Sequence, residues 1–383
     1  MIKMLTAWTG EIDDIDDAWK DICQYIDLDG LKKNSAGLLF CHSDFVESGV
    51  AVEICRRLPF DVIGMTTMAG ANLYGSSPYG LFLTILTSDD VDFETACTAP
   101  LDSKNYREKM TEAYGAARGK LSGDPVFIIS FLPYLQDLSG AEIVKSFDSI
   151  CGGIPIWGSI ASGSDMSYEG CRIFGKKTVH EAALAMLLLR GEVTPEFINT
   201  SIPERNIREN RGEITDSEGC ILRAVNGKAV QSYFEEMGLV IRGEDSTTTP
   251  MLVDYGDQSA PVALAIYHID QEGGLLCGGE VPKGAMIAVG EIDDEGILET
   301  AGESIAKILA SGRKEGILML PCVTRYIMLA PSQGDEMKLV MEGLGKEIPW
   351  FLGYSGGEVC PVRDSGGNLH NRFHNFTFSA CVF

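Results

Sequence analysis

The chain has 383 residues, of which 45% are apolar and 22% charged, with 43 Gly and 15 Pro. These proportions describe a globular protein of two or three domains and exclude a collagenous, coiled-coil or disordered chain. Acidic side chains outnumber basic ones by 55 to 31, and the net charge of −24 repels phosphate backbones and anionic lipid heads, so neither nucleic acid nor a membrane surface is an expected partner.

Along the chain, one order of elements recurs three times: a buried-type strand, an amphipathic helix, a second strand ending near Gly, a polar Gly-rich turn and a closing apolar strand. A helix precedes the first copy, with Ile15, Trp19, Ile22 and Ile26 on one face and Asp13 and Asp14 at its N-terminal end. That copy has a strand at Gly37–Phe40, a helix over Asp44–Leu58, and strands at Asp61–Gly64 and Gly80–Leu86. The second has a strand at Pro125–Ile129, a helix over Ser139–Ile150, and strands at Ile154–Gly158 and Ala182–Leu189.

From about 195–215 the texture changes. A strand at Ile221–Val225 passes through the turn Asn226-Gly227 into a helix carrying Val230, Tyr233, Phe234 and Met237. A loop over Gly243–Pro250, a strand over Val262–Tyr267 and a Gly273-Gly274 turn follow. Gly290-Glu-Ile-Asp-Asp294 then repeats Gly10-Glu-Ile-Asp-Asp14 and opens the helix before the third copy. This copy has a strand at Gly316–Leu320, a helix near Asp335–Leu344, a strand at Ile348–Gly353 and a last strand within Asn375–Phe383. There Phe376, Phe378, Ala380 and Val382 alternate with polar residues and predict a sheet with one polar face. The expected fold is α/β: repeated strand-helix-strand modules forming mixed sheets covered by helices, in two packed domains, 1–200 with two module copies and 201–383 with an inserted region and the third.

The 11 Cys are scattered singly among apolar neighbours, without a CxxC pair, as reduced core thiols of a cytosolic protein are. Met1–Leu5 has no signal-peptide pattern, and the longest purely apolar run, Ala182–Leu189, is far short of the ~20 residues of a spanning helix. A cytoplasmic location is expected.

The Gly64 and Gly158 turns, Ile214-Thr-Asp-Ser-Glu-Gly219 with Asn226-Gly-Lys228, Pro321-Cys-Val-Thr-Arg325, Gly353-Tyr-Ser-Gly-Gly-Glu358 and His374-Asn-Phe-Thr377, in this order, resemble the FIST family. Its N-terminal and C-terminal domains would cover about residues 30–200 and 215–365. The resemblance implies an intracellular sensory module for small ligands, with amino acids proposed and a haem-dependent nitric-oxide-sensing branch. Members often carry kinase, cyclase or chemotaxis output domains. Here the two sensory domains occupy the chain, so signalling would pass to a separate protein.

Strand ends with Gly turns present backbone N–H groups to small ligands, and Gly64, Gly158 and Gly353 recur at equivalent places. The plain alternative is that each Gly serves its own turn. Gly158–Gly163 has the spacing of a phosphate loop, but Ser164 stands where a Lys must be. Gly353-Tyr-Ser355-Gly-Gly357 matches a nucleophile elbow but is followed by Val359-Cys-Pro361 rather than a helix. Arg325 and Glu358, each beside a strand of the third copy, could grip the carboxylate and amine of an amino acid in one crevice, or simply pair with each other. The candidate ligand set is Arg325, Glu358, Gly353, Tyr354, Ser355, Gly357, Cys322, Gly158, Ser159 and Asn375, for a small polar metabolite. No catalytic or metal residue and no cofactor is predicted. Haem on His42, His268 or His374, and an enzyme using Cys322 or Glu358 with His374, are the alternatives. Cys322, between Pro321 and Val323, also reads as a core thiol. His370 and His374 in an extended chain stand about 13 Å apart, too far to share a metal ion.

Overall fold

A computed structural model describes residues 1–165, 167–241 and 249–383. The first module comprises β1 (Lys3–Thr9), α1 (Ile15–Cys23), β2 (Asn34–Cys41), α2 (Asp44–Glu47), α3 (Val50–Arg57), β3 (Asp61–Thr66), the hairpin β4 (Gly70–Asn72) and β5 (Gly75–Ser77), and β6 (Leu81–Ser88). Asp14 caps α1, accepting the N–H groups of Asp16 and Asp17. One helix was expected over Asp44–Leu58; the chain breaks it at Gly49, which lies at φ +85°, a conformation Gly adopts without steric cost.

The second module repeats the order with β7 (Asp92–Cys97), α4 (Tyr106–Arg118), β8 (Phe127–Leu132), α5 (Gly140–Cys151), β9 (Ile156–Ile160), the hairpin β10 (Ile173–Gly175) and β11 (Val179–His180), and β12 (Ala185–Arg190). β13 (Glu196–Thr200) follows, and then the inserted region: β14 (Ile207–Glu218), β15 (Ile221–Val225), β16 (Lys228–Ala229), α6 (Val230–Glu236), β17 (Met251–Asp254), β18 (Val262–Leu264), β19 (Ile266–Ile269), β20 (Leu275–Cys277) and β21 (Met286–Gly290). Asn226 and Gly227 both take positive φ at the β15–β16 turn, as its composition predicts. The single strand expected over Val262–Tyr267 is two, parted at Ala265. Most of the loop expected over Gly243–Pro250 lies outside the described residues.

The third module is α7 (Asp294–Ala310), β22 (Ile317–Pro321), α8 (Val323–Met328), α9 (Asp335–Leu344), β23 (Trp350–Gly353), the hairpin β24 (Glu358–Arg363) and β25 (Leu369–His374), and β26 (Phe378–Val382). Here Asp293 caps α7, one place earlier than Asp14 in the matching pentapeptide.

Three six-stranded sheets obey one rule. Their orders are β1-β6-β2-β3-β10-β11, β7-β12-β8-β9-β24-β25 and β13-β26-β22-β23-β4-β5. In each, the two central strands run parallel and the rest pair antiparallel, and the two strands at one end are a hairpin lent by another module. The second module lends to the first, the third to the second, and the first to the third, so the exchange closes in a ring. β13 occupies in the third sheet the place of β1 and β7 in the others. The eight-stranded inserted sheet thus interrupts the third module, and a division at residue 200/201 separates β13 from its sheet partner β26.

The inner faces of the three sheets share one core, in which Phe40 stacks on Phe351 at 4.2 Å and meets Phe131 edge-on at 5.2 Å. The outer faces carry α1 and α3, α4 and α5, and α7 and α9, each over its own cluster, and the inserted sheet has a further core. The polar face expected of the last strand is absent: β26 is buried throughout. Its polar side chains bond across modules instead, as where Ser379 Oγ accepts the Trp157 Nε1–H at 3.0 Å. Ten of the eleven cysteines are buried or half-buried, and Cys23 is exposed. No described helix is long and apolar enough to cross a membrane.

Candidate functional site

The equivalent glycines owe their identity to packing. A Cβ on Gly64 would run into the Phe174 ring and the Leu39 carbonyl, and one on Gly158 into the Ser130 carbonyl. In both places a neighbouring strand passes where a side chain would stand. Ser159 is equally committed, its hydroxyl lying 3.3 Å from Met65 Sδ in the central core.

Arg325 lies on α8 rather than at the end of the preceding strand, and it does not meet Glu358. Its Nε and Nη2 donate to Glu336 Oε1 at 2.9 and 2.5 Å, and both side chains are wholly buried. Nη2 also donates to the Ile297 carbonyl at 2.8 Å, and Nη1 to Thr300 Oγ1 at 3.1 Å and the carbonyls of Ser201 and Phe376 at 3.4 Å. Tyr354 donates to Glu336 Oε2 at 2.9 Å. This network pins α7, α8, α9 and β23 together. The alternative of a structural ion pair therefore holds for Arg325, but with Glu336, an acidic residue in the first turn of α9 that the sequence reading left out.

Glu358 forms a second buried cluster. Its Oε1 accepts from Ser355 Oγ at 3.0 Å and its Oε2 from Thr377 Oγ1 at 2.6 Å and Thr377 N at 3.3 Å. The carboxyl also hydrogen-bonds the Cys322 thiol, and no cation touches it among the described residues. Burial without a countercharge raises its pKa to about 8 against the ordinary 4.5, the hydroxyls only partly opposing the shift. Cys322 is 3% exposed, at the junction of β22 and α8. Burial and the neighbouring carboxyl push its pKa up to about 12, although the N–H groups of Thr324 and Phe376 point at the sulfur.

Three tyrosines outside the expected set stand close by. Tyr168, in the segment after β9, donates to the Gly356 carbonyl at 2.9 Å and stacks on the half-exposed Tyr134 at 4.2 Å. Tyr267, on β19 of the inserted sheet, interacts with both Cys322 and Glu358. Asn375 Oδ1 accepts from Ala265 N at 3.0 Å, leaving its amide nitrogen for the Tyr267 hydroxyl. Gly356 and Gly357 make room for the rings of Tyr168 and Phe373. The second module, the third module and the inserted sheet therefore converge on one thiol–carboxyl pair. Of the expected set, Glu358, Ser355, Cys322, Gly357 and Asn375 come together here, with Gly353 at the strand end leading in. Arg325 and Tyr354 belong to the Glu336 network.

The histidines are placed apart. His374 Nε2 lies 3.0 Å from the Cys360 carbonyl and Nδ1 2.9 Å from Asn199 Nδ2, a neutral ring whose pKa burial lowers to about 4. It makes no hydrogen bond with Glu358 or Cys322. His42 packs by Asp44 and Tyr79, and His268 is exposed. His370 and His374 lie on the extended β25.

Glu358 and His374 give stability a specific pH dependence. Glu358 binds its proton more tightly folded than unfolded, so its contribution is full below about pH 4.5 and is lost as the pH rises to about 8. The depressed His374 acts oppositely, costing stability as the pH falls from 6.5 to about 4. The two oppose each other below pH 6.5, and only Glu358 acts between there and about 8. Urea midpoints of the wild type should fall across this upper window relative to those of Glu358→Gln; parallel curves would show that the carboxyl titrates normally.

The FIST N domain family matches residues 35–228 and the FIST C domain family residues 223–361. No curated protein matches the chain. Among solved structures, a cyanuric acid hydrolase described as an evolutionary innovation by structural concatenation is 10% identical, with a TM-score of 0.30 over 76% of this chain and 99% of that one. The cyanuric acid hydrolase from A. caulinodans is 11% identical, with a TM-score of 0.37 over 100% of this chain and 98% of that one.

Proposed function

This chain belongs to the FIST family of small-ligand sensory domains, and from that premise we propose that it binds a small polar metabolite, an amino acid being the leading candidate, at the junction around Glu358. One observation carries this reading: Glu358 is a buried carboxyl, held by hydroxyl, amide and thiol groups without a cation, beneath tyrosines from two other parts of the chain. An ammonium group would supply the absent countercharge, drawing Glu358 into its ionised form and releasing a proton. With Arg325 committed to Glu336, the carboxylate of an amino acid falls to neutral donors, the Tyr267 hydroxyl foremost.

The protein acts in the cytoplasm, and ligand binding biases the packing of the inserted sheet against the modules. A separate signalling protein reads that change. Only a ligand with unequal affinity for two such arrangements shifts them.

A thermal-shift panel of the common amino acids tests the reading. At 100 times its Kd, a ligand adds about 2.7 kcal/mol, a rise of several degrees in Tm. Glu358→Gln should abolish that rise. If no amino acid raises Tm, or the variant responds like the wild type, the proposal fails.

A further inference from the structure

We propose that Cys322 is a covalent modification site for small, neutral, planar α,β-unsaturated carbonyl compounds, with Glu358 as the base that takes the thiol proton. This rests on the reading that the junction admits small ligands, but not on which metabolite binds reversibly.

The two reacting groups touch. The thiol proton has two acceptors, Thr324 Oγ1 at 3.7 Å and the Glu358 carboxyl. The sulfur already receives the N–H groups of Thr324 and Phe376, so negative charge developing on it meets preformed donors. Phe376 is held at φ +62° with its carbonyl bonded to Arg325, and the buried ion pair thereby fixes the N–H that faces the sulfur.

The surroundings select the electrophile. The titratable groups facing the pair are the Tyr168 and Tyr267 hydroxyls and the Cys360 thiol, with Tyr134 and the Cys171 thiol beyond Tyr168. The Arg325 guanidinium is spent on Glu336 and no cation touches the carboxyl among the described residues, so nothing there favours an anionic electrophile. The Tyr168 ring, stacked on Tyr134 at 4.2 Å, adds an apolar aromatic wall near the thiol. The Tyr267 hydroxyl, bonded by the Asn375 amide, has its own proton to give to a ligand carbonyl.

The addition balances without a further reagent. The S–H bond breaks as Sγ bonds to the β-carbon, and the proton passes to the ionised Glu358. The alkene electron pair moves to the α-carbon, which then takes that proton back from Glu358. A thioether forms, nothing leaves, and Glu358 ends as the carboxylate it began as.

Acrylamide is the probe, and adducts are counted by peptide mass spectrometry of the intact, folded protein. Cys277 and Cys381, core thiols whose pKa burial also raises, serve as internal references. Cys322 should label at least about tenfold faster than either, with a rate that climbs between about pH 6 and about pH 9 as Glu358 ionises. Glu358→Gln, shown folded by circular dichroism, should slow Cys322 about a hundredfold and flatten that climb, leaving Cys277 and Cys381 unchanged. Cys322→Ser should lose this adduct, and because labelling is read with no amino acid present, failure here is separate from failure of the reversible-ligand reading. If Cys322 labels no faster than the core thiols, or Glu358→Gln leaves its rate unchanged, the proposal is overturned.

Discussion

Replacing Arg325 by Ala should lower the unfolding free energy by about 3–5 kcal/mol, the cost of stripping one partner from a fully buried ion pair. The loss reaches beyond Glu336. The carbonyls of Ile297, Phe376 and Ser201 and the hydroxyl of Thr300 lose a donor together, and each unpaired buried group adds its own desolvation cost. Removing both charges tells a different story. Arg325→Met with Glu336→Leu leaves no orphaned charge, and apolar replacements of buried pairs are often neutral or stabilising, so the double variant should recover much of the loss. Urea denaturation of the three proteins checks this. A single variant within about 1 kcal/mol of the wild type would show that the pair is far less isolated from water than its complete burial implies. The same variant is a poor probe of ligand recognition, because it disturbs the Phe376 backbone that faces Cys322.

Phe40→Ala should cost about 3–5 kcal/mol, the range for truncating a buried aromatic side chain. Its location gives the number a further meaning. Phe40 lies next to the last residue of β2 in the first module, yet it stacks on Phe351 of the third and meets Phe131 of the second. The cavity would therefore open where three sheets abut, with no solvent-facing side chain able to swing in. Amide hydrogen exchange on the variant should show protection falling in β2, β8 and β23 together. A loss confined to the first module would mean that the modules are stable one by one and that the central aromatic contact couples little.

That shared core explains which parts of the protein were readable in its sequence. Strand and helix periodicities are local, so the order of elements in all three copies stood out, and α9 spans the predicted Asp335–Leu344. So did the acidic start of α1, where Asp14 accepts backbone N–H groups from the next turn. The alternation in β26 was equally visible, but its meaning was not. Polar residues at every second place usually face water, whereas here Thr377 and Ser379, beside and within that strand, bond to Glu358 and Trp157 of other sheets.

The candidate site was half legible for the same reason. Glu358, Ser355 and Cys322 lie at strand ends of the third module, where a short-range reading finds them. Tyr168 and Tyr267 come from the second module and the inserted sheet, and no local pattern marks a tyrosine whose partner lies more than a hundred residues away. Arg325 was a sound choice of a buried cation beside a strand, but the choice between Glu336 and Glu358 as its partner depended on how α9 packs.

The amino-acid order alone thus determined the repeated modules, the places of most strands and helices, and the family to which they belong, because each depends on contacts between near neighbours along the chain. Only the folded arrangement decided that every module lends its hairpin to another, that the third is interrupted by a sheet of its own, and that a thiol and a carboxyl share one buried junction. Those outcomes arise where distant segments compete to bury the same apolar faces and satisfy the same polar groups, a competition that no local periodicity records.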